Sequence, residues 1–321
     1  MRLIFMGTPG FACPPLSRLL GSGHQVVGVV TPPDRPKGRG QAVKPCAVKE
    51  LAVQAGVPVF QPVSIGDPEV AALMAGMHPD VVVVVAFGRI LPTGILQIPV
   101  LGCVNVHASL LPRYRGAAPI HRAVINGDNI TGVTTMLMNA GLDTGDILMQ
   151  RARPIGEDET VGEVYDSLAV IGADLLLETL AGMERGTVNR TPQADREATY
   201  AAPLTRGEEW IAWTNKAVDI KNLVRGMDPW PGAYTEHAGR AVKIWRVSVA
   251  AGDDPPGEAL IYPGQVTAVD KKEGFVVQAG VGKVLVREVQ PQGKSRMSAA
   301  EFARGYRVVP GQTLGTLGAG Q

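Results

Sequence analysis

The stretch RLIFMGTPGFACPPLSRLLGSGHQVVGVVT, residues 2–31, decides the fold that this sequence predicts. Its first five residues are suited to a buried strand, a turn rich in Gly and Pro follows, and residues 11–20 have a helical pattern. Residues 25–31 then predict a second strand. Strand, helix and strand in this order form a right-handed βαβ unit, which favours an α/β fold with a mostly parallel sheet.

The turn between the first strand and the first helix raises the possibility of a dinucleotide site. Its glycines, Gly7 and Gly10, have the spacing G-x-x-G. They lack the G-x-G-x-x-G spacing that brings backbone amides against a pyrophosphate. We therefore expect a tight turn that packs the helix on the strand, and no nicotinamide cofactor.

Further along the chain, residues 80–87 (DVVVVVAF) contain five consecutive valines, which fit a strand buried on both faces at the centre of the sheet. Helices are expected over 46–55, 68–77, 117–126 and 161–183, and strands over 132–138 and 146–153.

Residues 186–205 are polar and irregular, which is typical of a linker between domains. After helices within 207–226, short alternating segments over 241–309 predict a small antiparallel barrel or sandwich. Residues 311–321 are expected to form a tail.

Composition excludes several classes of protein. The 321 residues are 45% hydrophobic and 19% charged, with a net charge of +1, so any nucleic-acid contact must come from a local basic patch. The three cysteines and five histidines are widely spaced and form no zinc or disulfide motif. No apolar run reaches membrane-spanning length. We expect two domains in a cytoplasmic protein without a metal, and a monomer.

Residues 103–119 (CVNVHASLLPRYRGAAP) carry the candidate chemistry. Side chains two apart in a strand point to the same face, so Asn105 and His107 would project together at the strand's end. An amide can stabilise an oxyanion and an imidazole can move protons near neutral pH, which suits acyl transfer. Asp143 in GLDTGD could orient the imidazole, with Asp146 as a rival acid. Ser109 lacks the nucleophile elbow of a serine hydrolase.

Residues 31–45 (TPPDRPKGRGQAVKP) form a second candidate site. Proline and glycine predict a mobile loop without a packed element, and this loop is expected beyond the carboxyl end of a strand, where open α/β sheets place ligands. An ordinary solvated surface loop is the alternative. The loop's four cations, Arg35, Lys37, Arg39 and Lys44, could instead contact nucleic-acid phosphates.

Four segments together, NVHASLLPRYRGAAPI, GLDTGDIL, FMGTPGFA and DPWPGAY, resemble the folate-dependent formyltransferase family over nearly the whole chain. The resemblance implies a Rossmann-like catalytic domain over residues 1–185, a linker over 186–205, and an OB-like β-barrel that binds tRNA over 206–310. It implies 10-formyltetrahydrofolate as the donor, the amino group of methionine on initiator tRNA as the acceptor, and catalysis by Asn105, His107 and Asp143. Family members usually carry an acidic residue where this chain has Gly10.

The resemblance also implies which residues bind each substrate. The segment FGRILP and the SLLP motif would hold the folate, and the basic loop would enter the acceptor stem of the tRNA. The folate-binding residues expected on this basis are Phe87, Arg89, Ile90, Leu91, Ser109, Leu110, Leu111 and Pro112.

Several other functions fit parts of the pattern. A formyltransferase for glycinamide ribonucleotide or an amino sugar would share the Asn105, His107 and Asp143 motifs, but the former would lack residues 204–321 and the latter would not need the basic loop. A formyltetrahydrofolate hydrolase would use water in place of the amine. A non-catalytic RNA-binding protein would not need these three polar residues.

Overall fold

The computed structural model describes residues 1–37, 42–250 and 262–315. The chain divides into two compact units, neither of which is continuous in sequence. The first unit consists of Met1–Ile120, Ile130–Pro154 and Tyr165–Ala202. The second consists of His121–Asn129, Ile155–Val164 and Pro203–Gln321.

Helices and strands alternate through the first two thirds of the chain. In chain order they are β1 (Arg2–Gly7), α1 (Cys13–Leu20), β2 (Gln25–Val30), β3 (Arg35–Lys37), β4 (Ala42–Lys44), α2 (Ala47–Gln54), β5 (Val59–Phe60), α3 (Pro68–Gly76), β6 (Val81–Val85), α4 (Thr93–Leu96), β7 (Cys103–His107), β8 (Arg115–Gly116), α5 (Pro119–Ile125), β9 (Ile130–Leu137), β10 (Ile147–Pro154), α6 (Val161–Glu184) and β11 (Tyr200–Ala201).

The main sheet of the first unit has seven strands in the order β10-β9-β7-β6-β1-β2-β5. Strands β7, β6, β1, β2 and β5 are parallel; β9 pairs antiparallel with β7 at one side, and β10 pairs antiparallel with β9. The predicted mostly parallel sheet is therefore confirmed. The five valines of β6 are all buried, between β1 and β7, as their unbroken apolar run predicted.

The turn after β1 has the packing role that the sequence predicted. A Cβ on Gly7 would lie 2.8 Å from the Cβ of Ala12 and 3.0 Å from the carbonyl oxygen of Val85. Only a residue without a side chain lets the turn pack this closely between the start of α1 and the neighbouring strand β6. Packing within the protein thus explains why residue 7 is a glycine.

The basic segment 31–45 differs from its prediction as a loop without a packed element. Strands β3 and β4 pair antiparallel, with Arg35 opposite Lys44 and Pro36 opposite Val43. The base of this hairpin is fixed by Lys49, whose Nζ lies 2.5 Å from Asp34 Oδ2. The prediction was wrong because proline is tolerated in a two-stranded ribbon, whose outer edge needs no amide donor.

The segment 186–205, predicted to be an irregular linker, pairs with the first unit. Strand β11 lies parallel to β8, and Thr191 exchanges backbone hydrogen bonds of 2.8 and 2.9 Å with Ile147. Its polar composition concealed this pairing, because the hydrogen bonds involve backbone groups that any residue carries. Ala202 is the last residue of this stretch that belongs to the first unit.

The second unit is built on an antiparallel sheet, as predicted. Its elements are α7 (Ala217–Gly226), β12 (Ala233–His237), β13 (Arg240–Ala250), β14 (Val266–Asp270), β15 (Gly274–Gln278), β16 (Lys283–Pro291), β17 (Met297–Ser298) and α8 (Ala299–Tyr306). The strand order is β12-β13-β16-β15-β14, with β17 paired to β16. Within the residues that the structure describes, this path does not close on itself, so a closed barrel stays a prediction.

The core of the second unit includes side chains from both its strands and its helices. Phe275 of β15 packs against Phe302 of α8, with ring centroids 6.2 Å apart. The sequence reading missed α8, which begins with a capping box between Ser298 and Glu301. Trp213 and Trp245 are buried, whereas Trp230 is 69% exposed.

Candidate active site

The candidate site begins at the carboxyl end of β7, the strand that carries Asn105 and His107. Their alternation along the strand places both side chains on one face, and Asn105 lies beside Val84 of β6 and Met136 of β9. Both side chains are buried, with 9% and 6% of their residue surface exposed. The two-residue period of the strand predicted their common face but gave no information on their burial.

Asp143 completes the group, from a loop 36 residues further along the chain than His107. Its Oδ2 lies 3.6 Å from His107 Nδ1. Asn105 Nδ2 donates to its Oδ1 over 3.4 Å, and the backbone N–H of Gly116 donates to Oδ2 over 2.8 Å. The structure thus brings the three predicted polar side chains together, and the 114–116 turn supplies a fourth group.

The protonation of His107 is constrained by its second ring nitrogen. Nε2 lies 2.9 Å from the carbonyl oxygen of Tyr114, an atom that can only accept a hydrogen bond. Nε2 therefore carries a proton in this arrangement, and Nδ1, which faces Asp143, is the nitrogen that can gain or lose one. When both nitrogens are protonated, the positive charge of the ring lies beside the Asp143 carboxylate.

The loop that carries Asp143 is held in an uncommon conformation. Asp143 has a positive φ of 53°, which few non-glycine residues adopt. Gly145 packs so tightly that an added Cβ would lie 1.6 Å from the carbonyl oxygen of Leu137. The side chain of Gln193 donates to the carbonyl oxygens of Asp143 and Gly145, over 2.8 and 2.7 Å. Packing and hydrogen bonds together fix where the carboxylate lies.

Other nucleophiles near the site are inert. Burial raises the pKa of Cys103 to about 12, so its thiol stays protonated near neutral pH. Ser109 is buried, and its Oγ donates to the carbonyl oxygen of Arg113 over 2.6 Å. His121 lies in α5, and burial lowers its pKa, which favours the neutral ring.

The first predicted folate segment follows β6, the strand beside Asn105. Phe87 and Leu91 are buried and belong to the core of the first unit. Ile90 is 75% exposed, so it presents an apolar surface to solvent. Arg89 Nη1 donates to the carbonyl oxygen of Val63 over 2.9 Å, which ties this segment to the loop after β5.

The SLLP motif is held from inside the protein. Thr134 Oγ1 donates to the carbonyl oxygen of Ser109 over 2.6 Å and accepts from the N–H of Leu111 over 3.1 Å. Gln150 Nε2 donates to the carbonyl oxygen of Leu111 over 2.8 Å. Leu110 and Pro112 are partly buried, and the Leu111–Pro112 peptide is cis. The hydrogen bonds from Thr134 and Gln150 hold the backbone of the motif in place, and we call residues 109–112 the SLLP wall.

The predicted tRNA-binding residues are only partly described. Arg35 and Lys44 are exposed and lie directly opposite each other on the β3–β4 ladder. Lys37 lies at the end of β3, and Arg39 falls outside the described residues. Opposite partners project from the same face, so two positive charges lie side by side there.

Sequence reasoning missed four groups that surround the candidate site. They are the carbonyl of Tyr114, the N–H of Gly116, and the side chains of Arg115 and Gln193. The backbone groups have no signature in sequence. Arg115 stood within the quoted motif without a role, and Gln193 lies in a segment without periodicity. In the described part of the chain no group of side chains is arranged to hold a metal ion, and no helix is long and apolar enough to cross a membrane.

Comparison with known proteins identifies two family models along the chain. Residues 1–180 match the model described as formyl transferase, and residues 203–307 match the formyl transferase C-terminal domain.

Two relatives align over nearly full length, and both are called methionyl-tRNA formyltransferase. The one from Citrifermentans bemidjiense is 48% identical, with 98% of this chain and 96% of the relative covered. The one from Pelotomaculum thermopropionicum is 50% identical, with 98% and 99% covered.

Solved structures share the fold at low identity. WlaRD, a sugar 3N-formyl transferase, superposes with a TM-score of 0.65 at 16% identity, covering 92% of this chain and 99% of that protein. HypX from Aquifex aeolicus, solved with tetrahydrofolic acid, gives a TM-score of 0.60 at 18% identity and covers 94% of this chain. This chain spans about half the length of HypX, 47%.

Proposed function

The chain belongs to the formyl transferase family, and from this premise we propose that it transfers the formyl group of 10-formyltetrahydrofolate to the α-amino group of methionine on initiator tRNA. It is therefore an enzyme of translation initiation. Near 50% identity along the whole length to relatives with that name supports this acceptor. The observation that carries the chemistry is the Asn105, His107 and Asp143 group at the carboxyl end of β7.

The reaction needs a group that stabilises negative charge on the formyl oxygen. As the amine attacks the formyl carbon, that oxygen becomes an oxyanion. Asn105 has two N–H groups, of which one is directed to Asp143 over the long distance of 3.4 Å, so the amide can donate to the oxyanion. One donor of this kind contributes about 3 kcal/mol to transition-state stabilisation.

The reaction also needs a path for protons, and His107 with Asp143 supplies it. The attacking amine loses a proton, and the folate nitrogen gains one as it leaves. Between Nδ1 of His107 and Oδ2 of Asp143 the site can hold one transferable proton, because Nε2 is committed to Tyr114. The protonated ring also adds positive charge near the oxyanion. Neither a covalent enzyme intermediate nor a metal is required for these steps.

Binding of the folate donor is proposed along the two segments that flank Asn105. The donor supplies the formyl carbon, and this chain would hold its ring between residues 86–92 and the SLLP wall. Ile90 offers exposed apolar surface there, which suits a flat heterocycle. The Ser109 hydroxyl and the Leu111 backbone groups form hydrogen bonds within the protein. We therefore propose that these two residues shape the wall and do not bond the folate.

Binding of tRNA is proposed at the β3–β4 hairpin and at the second unit. Arg35 and Lys44 place two positive charges side by side on one face. Binding of a polyanion would reduce the repulsion between them. Lys37 and Arg39 belong to the same proposal. Residues 206–310 are proposed as a tRNA-binding domain with an OB-like barrel, which the antiparallel sheet supports without closing the barrel.

The cellular location and assembly are proposed as cytoplasmic and monomeric. The free cysteines Cys13, Cys46 and Cys103 suit a reducing compartment. Light scattering of the purified protein tests the monomer, because a mass near twice 33.8 kDa would refute it.

The decisive experiment measures formyl transfer from 10-formyltetrahydrofolate to methionine charged on initiator tRNA. Elongator methionyl-tRNA and the His107→Ala variant serve as controls. We expect transfer to the initiator alone and its loss in the variant. If neither tRNA is formylated while folate still binds, the tRNA proposal fails, and small amine acceptors or water are tested next.

A further inference from the structure

The segment after α6 returns to the candidate active site and holds two of its loops. We call residues 191–201 the strap. The N–H of Tyr114 donates to Thr199 Oγ1, and the N–H of Arg115 donates to the Thr199 carbonyl oxygen, both over 2.8 Å. The N–H of Ala117 donates to the carbonyl oxygen of Ala201 over 2.9 Å. The strap therefore supports the turn whose backbone contacts both His107 and Asp143.

Gln193 connects this strap to the Asp143 loop. Its Nε2 donates to the carbonyl oxygens on either side of Thr144, those of Asp143 and Gly145. A single amide group thus binds the backbone on both sides of this turn. Asp143 has its uncommon positive φ at this point, so these two bonds stabilise the conformation that aims the carboxylate.

Arg115 determines which way the Gln193 amide faces. Its Nε donates to Gln193 Oε1 over 3.0 Å, and its Nη2 lies 2.9 Å from Asp195 Oδ1. A guanidinium only donates and a backbone carbonyl only accepts, so one orientation of the amide satisfies all its neighbours. Arg115 is only 2% exposed, and it lies between Tyr114 and Gly116 in sequence. It therefore links the turn that holds His107 to the loop that carries Asp143.

We propose that Gln193, oriented by Arg115, is a positioning residue that sets the Asp143 carboxylate against His107 and the Gly116 N–H. It acts through the backbone of the Asp143 loop and touches no reacting atom. The proposal rests on the proposed formyl transfer for its kinetic consequence. Its structural consequence is the strength of the hydrogen bond from Gly116 to Asp143. That consequence does not depend on which substrate accepts the formyl group.

The test compares two substitutions at Gln193 with a control in the same strap. Gln193→Glu keeps an acceptor for Arg115 but turns a carboxylate towards two carbonyl oxygens, whereas Gln193→Met keeps the length and removes every polar atom. Arg196→Gln is the control, since the Arg196 side chain is 85% exposed and pairs with its sequence neighbour Glu197. Gln193 is partly buried, so we expect every variant to fold.

Two measurements decide the proposal. In both Gln193 variants we expect kcat to fall about 10- to 100-fold, with KM for each substrate changed less than about twofold, because misplacement of about 1 Å has effects of this size. We also expect the amide proton of Gly116, followed by NMR without substrate, to shift upfield as its bond to Asp143 weakens. Arg196→Gln should leave kcat and this resonance at their wild-type values.

The outcomes separate this proposal from the proposed function. A Gln193→Glu variant with wild-type kcat and an unchanged Gly116 resonance overturns the positioning role, since it would mean that only the link to Arg115 matters. An increase in KM with kcat unchanged also overturns the positioning role. If the wild-type protein fails to formylate methionyl-tRNA, the proposed function falls, and the Gly116 resonance alone then supports or refutes the role of Gln193.

Discussion

Replacing Asp143 by asparagine tests the arrangement at the centre of the site. The aspartate accepts hydrogen bonds at both oxygens, from Gly116 N–H at Oδ2 and from Asn105 Nδ2 at Oδ1. Asparagine can supply only one oxygen. With that oxygen towards Gly116, its NH₂ group meets the NH₂ group of Asn105, and two donors face each other.

The magnitude follows from the two interactions that change. The substitution removes the negative charge beside His107, and a hydrogen bond to a charged group contributes about 1.5–3 kcal/mol, or roughly 10- to 150-fold in rate. The donor conflict also turns the Asn105 amide away from its position, and loss of one oxyanion donor lowers kcat about 10²- to 10³-fold. Since the two effects share atoms, we expect a combined loss of about 10²- to 10⁴-fold.

Single-turnover formyl transfer measures the chemical step directly, with Asp146→Asn as the matched control. Asp146 carries the same chemical change three residues away, and its backbone carbonyl, which bonds Leu137, is unaffected. The control should retain the wild-type rate within about threefold. If Asp143→Asn keeps more than about a tenth of the wild-type rate, or if Asp146→Asn is equally impaired, the assigned role of Asp143 is wrong.

Three further results are expected. The hydrogen bond from Arg122 is the main reason that the pKa of Glu208 is lowered from 4.5 to about 2. Ionised Glu208 therefore stabilises the folded state at pH values above 4.5, and this contribution is lost as pH falls towards about 2. Because Glu208 is 37% exposed, Arg122→Met should lower the free energy of unfolding by at most about 1 kcal/mol in urea titrations at neutral pH, and the difference from wild type should become smaller as pH falls from about 4.5 towards about 2. Alanine at both Arg35 and Lys44 should raise KM for tRNA but not for folate, and should reduce the slope of log KM against log salt by about 2; an unchanged slope would refute phosphate contact. Phe275→Ala, at a side chain 1% exposed, should lower the free energy of unfolding by about 3–5 kcal/mol, and a loss below about 1 kcal/mol would contradict its core position.

The local sequence pattern was sufficient to predict much of the fold. The five valines of β6 predicted a central strand because apolar periodicity depends only on neighbours in sequence. The common face of Asn105 and His107 likewise follows from the two-residue period of a strand. The place of Asp143 did not follow from periodicity, since its loop contacts β7 across 38 residues, and its assignment came from the family motif.

Long-range contacts explain what the sequence did not reveal. Gln193 lies 50 residues from Asp143, in a segment whose polar composition is typical of a linker. No local signal distinguishes an amide that binds a distant backbone from one that faces solvent. The β3–β4 hairpin was missed for a related reason. Proline and glycine between strands are typical of loops, but cross-strand pairing at Arg35 and Lys44 outweighed that local preference.

Three of the four non-glycine residues with positive φ in the described part of the first unit lie around the candidate site, and the fourth is His78. Ala86, Tyr114 and Asp143 all have positive φ, between 46° and 61°. Each follows or faces the carboxyl end of β6 or β7, and such conformations cost about 1–3 kcal/mol each and persist only where the surrounding structure imposes them. The buried parallel strands fix where these loops begin, and the strap fixes where two of them lie. In the proposed mechanism these conformations hold Asn105, His107 and Asp143 in place before substrate binds, and such preorganisation stabilises a transition-state oxyanion.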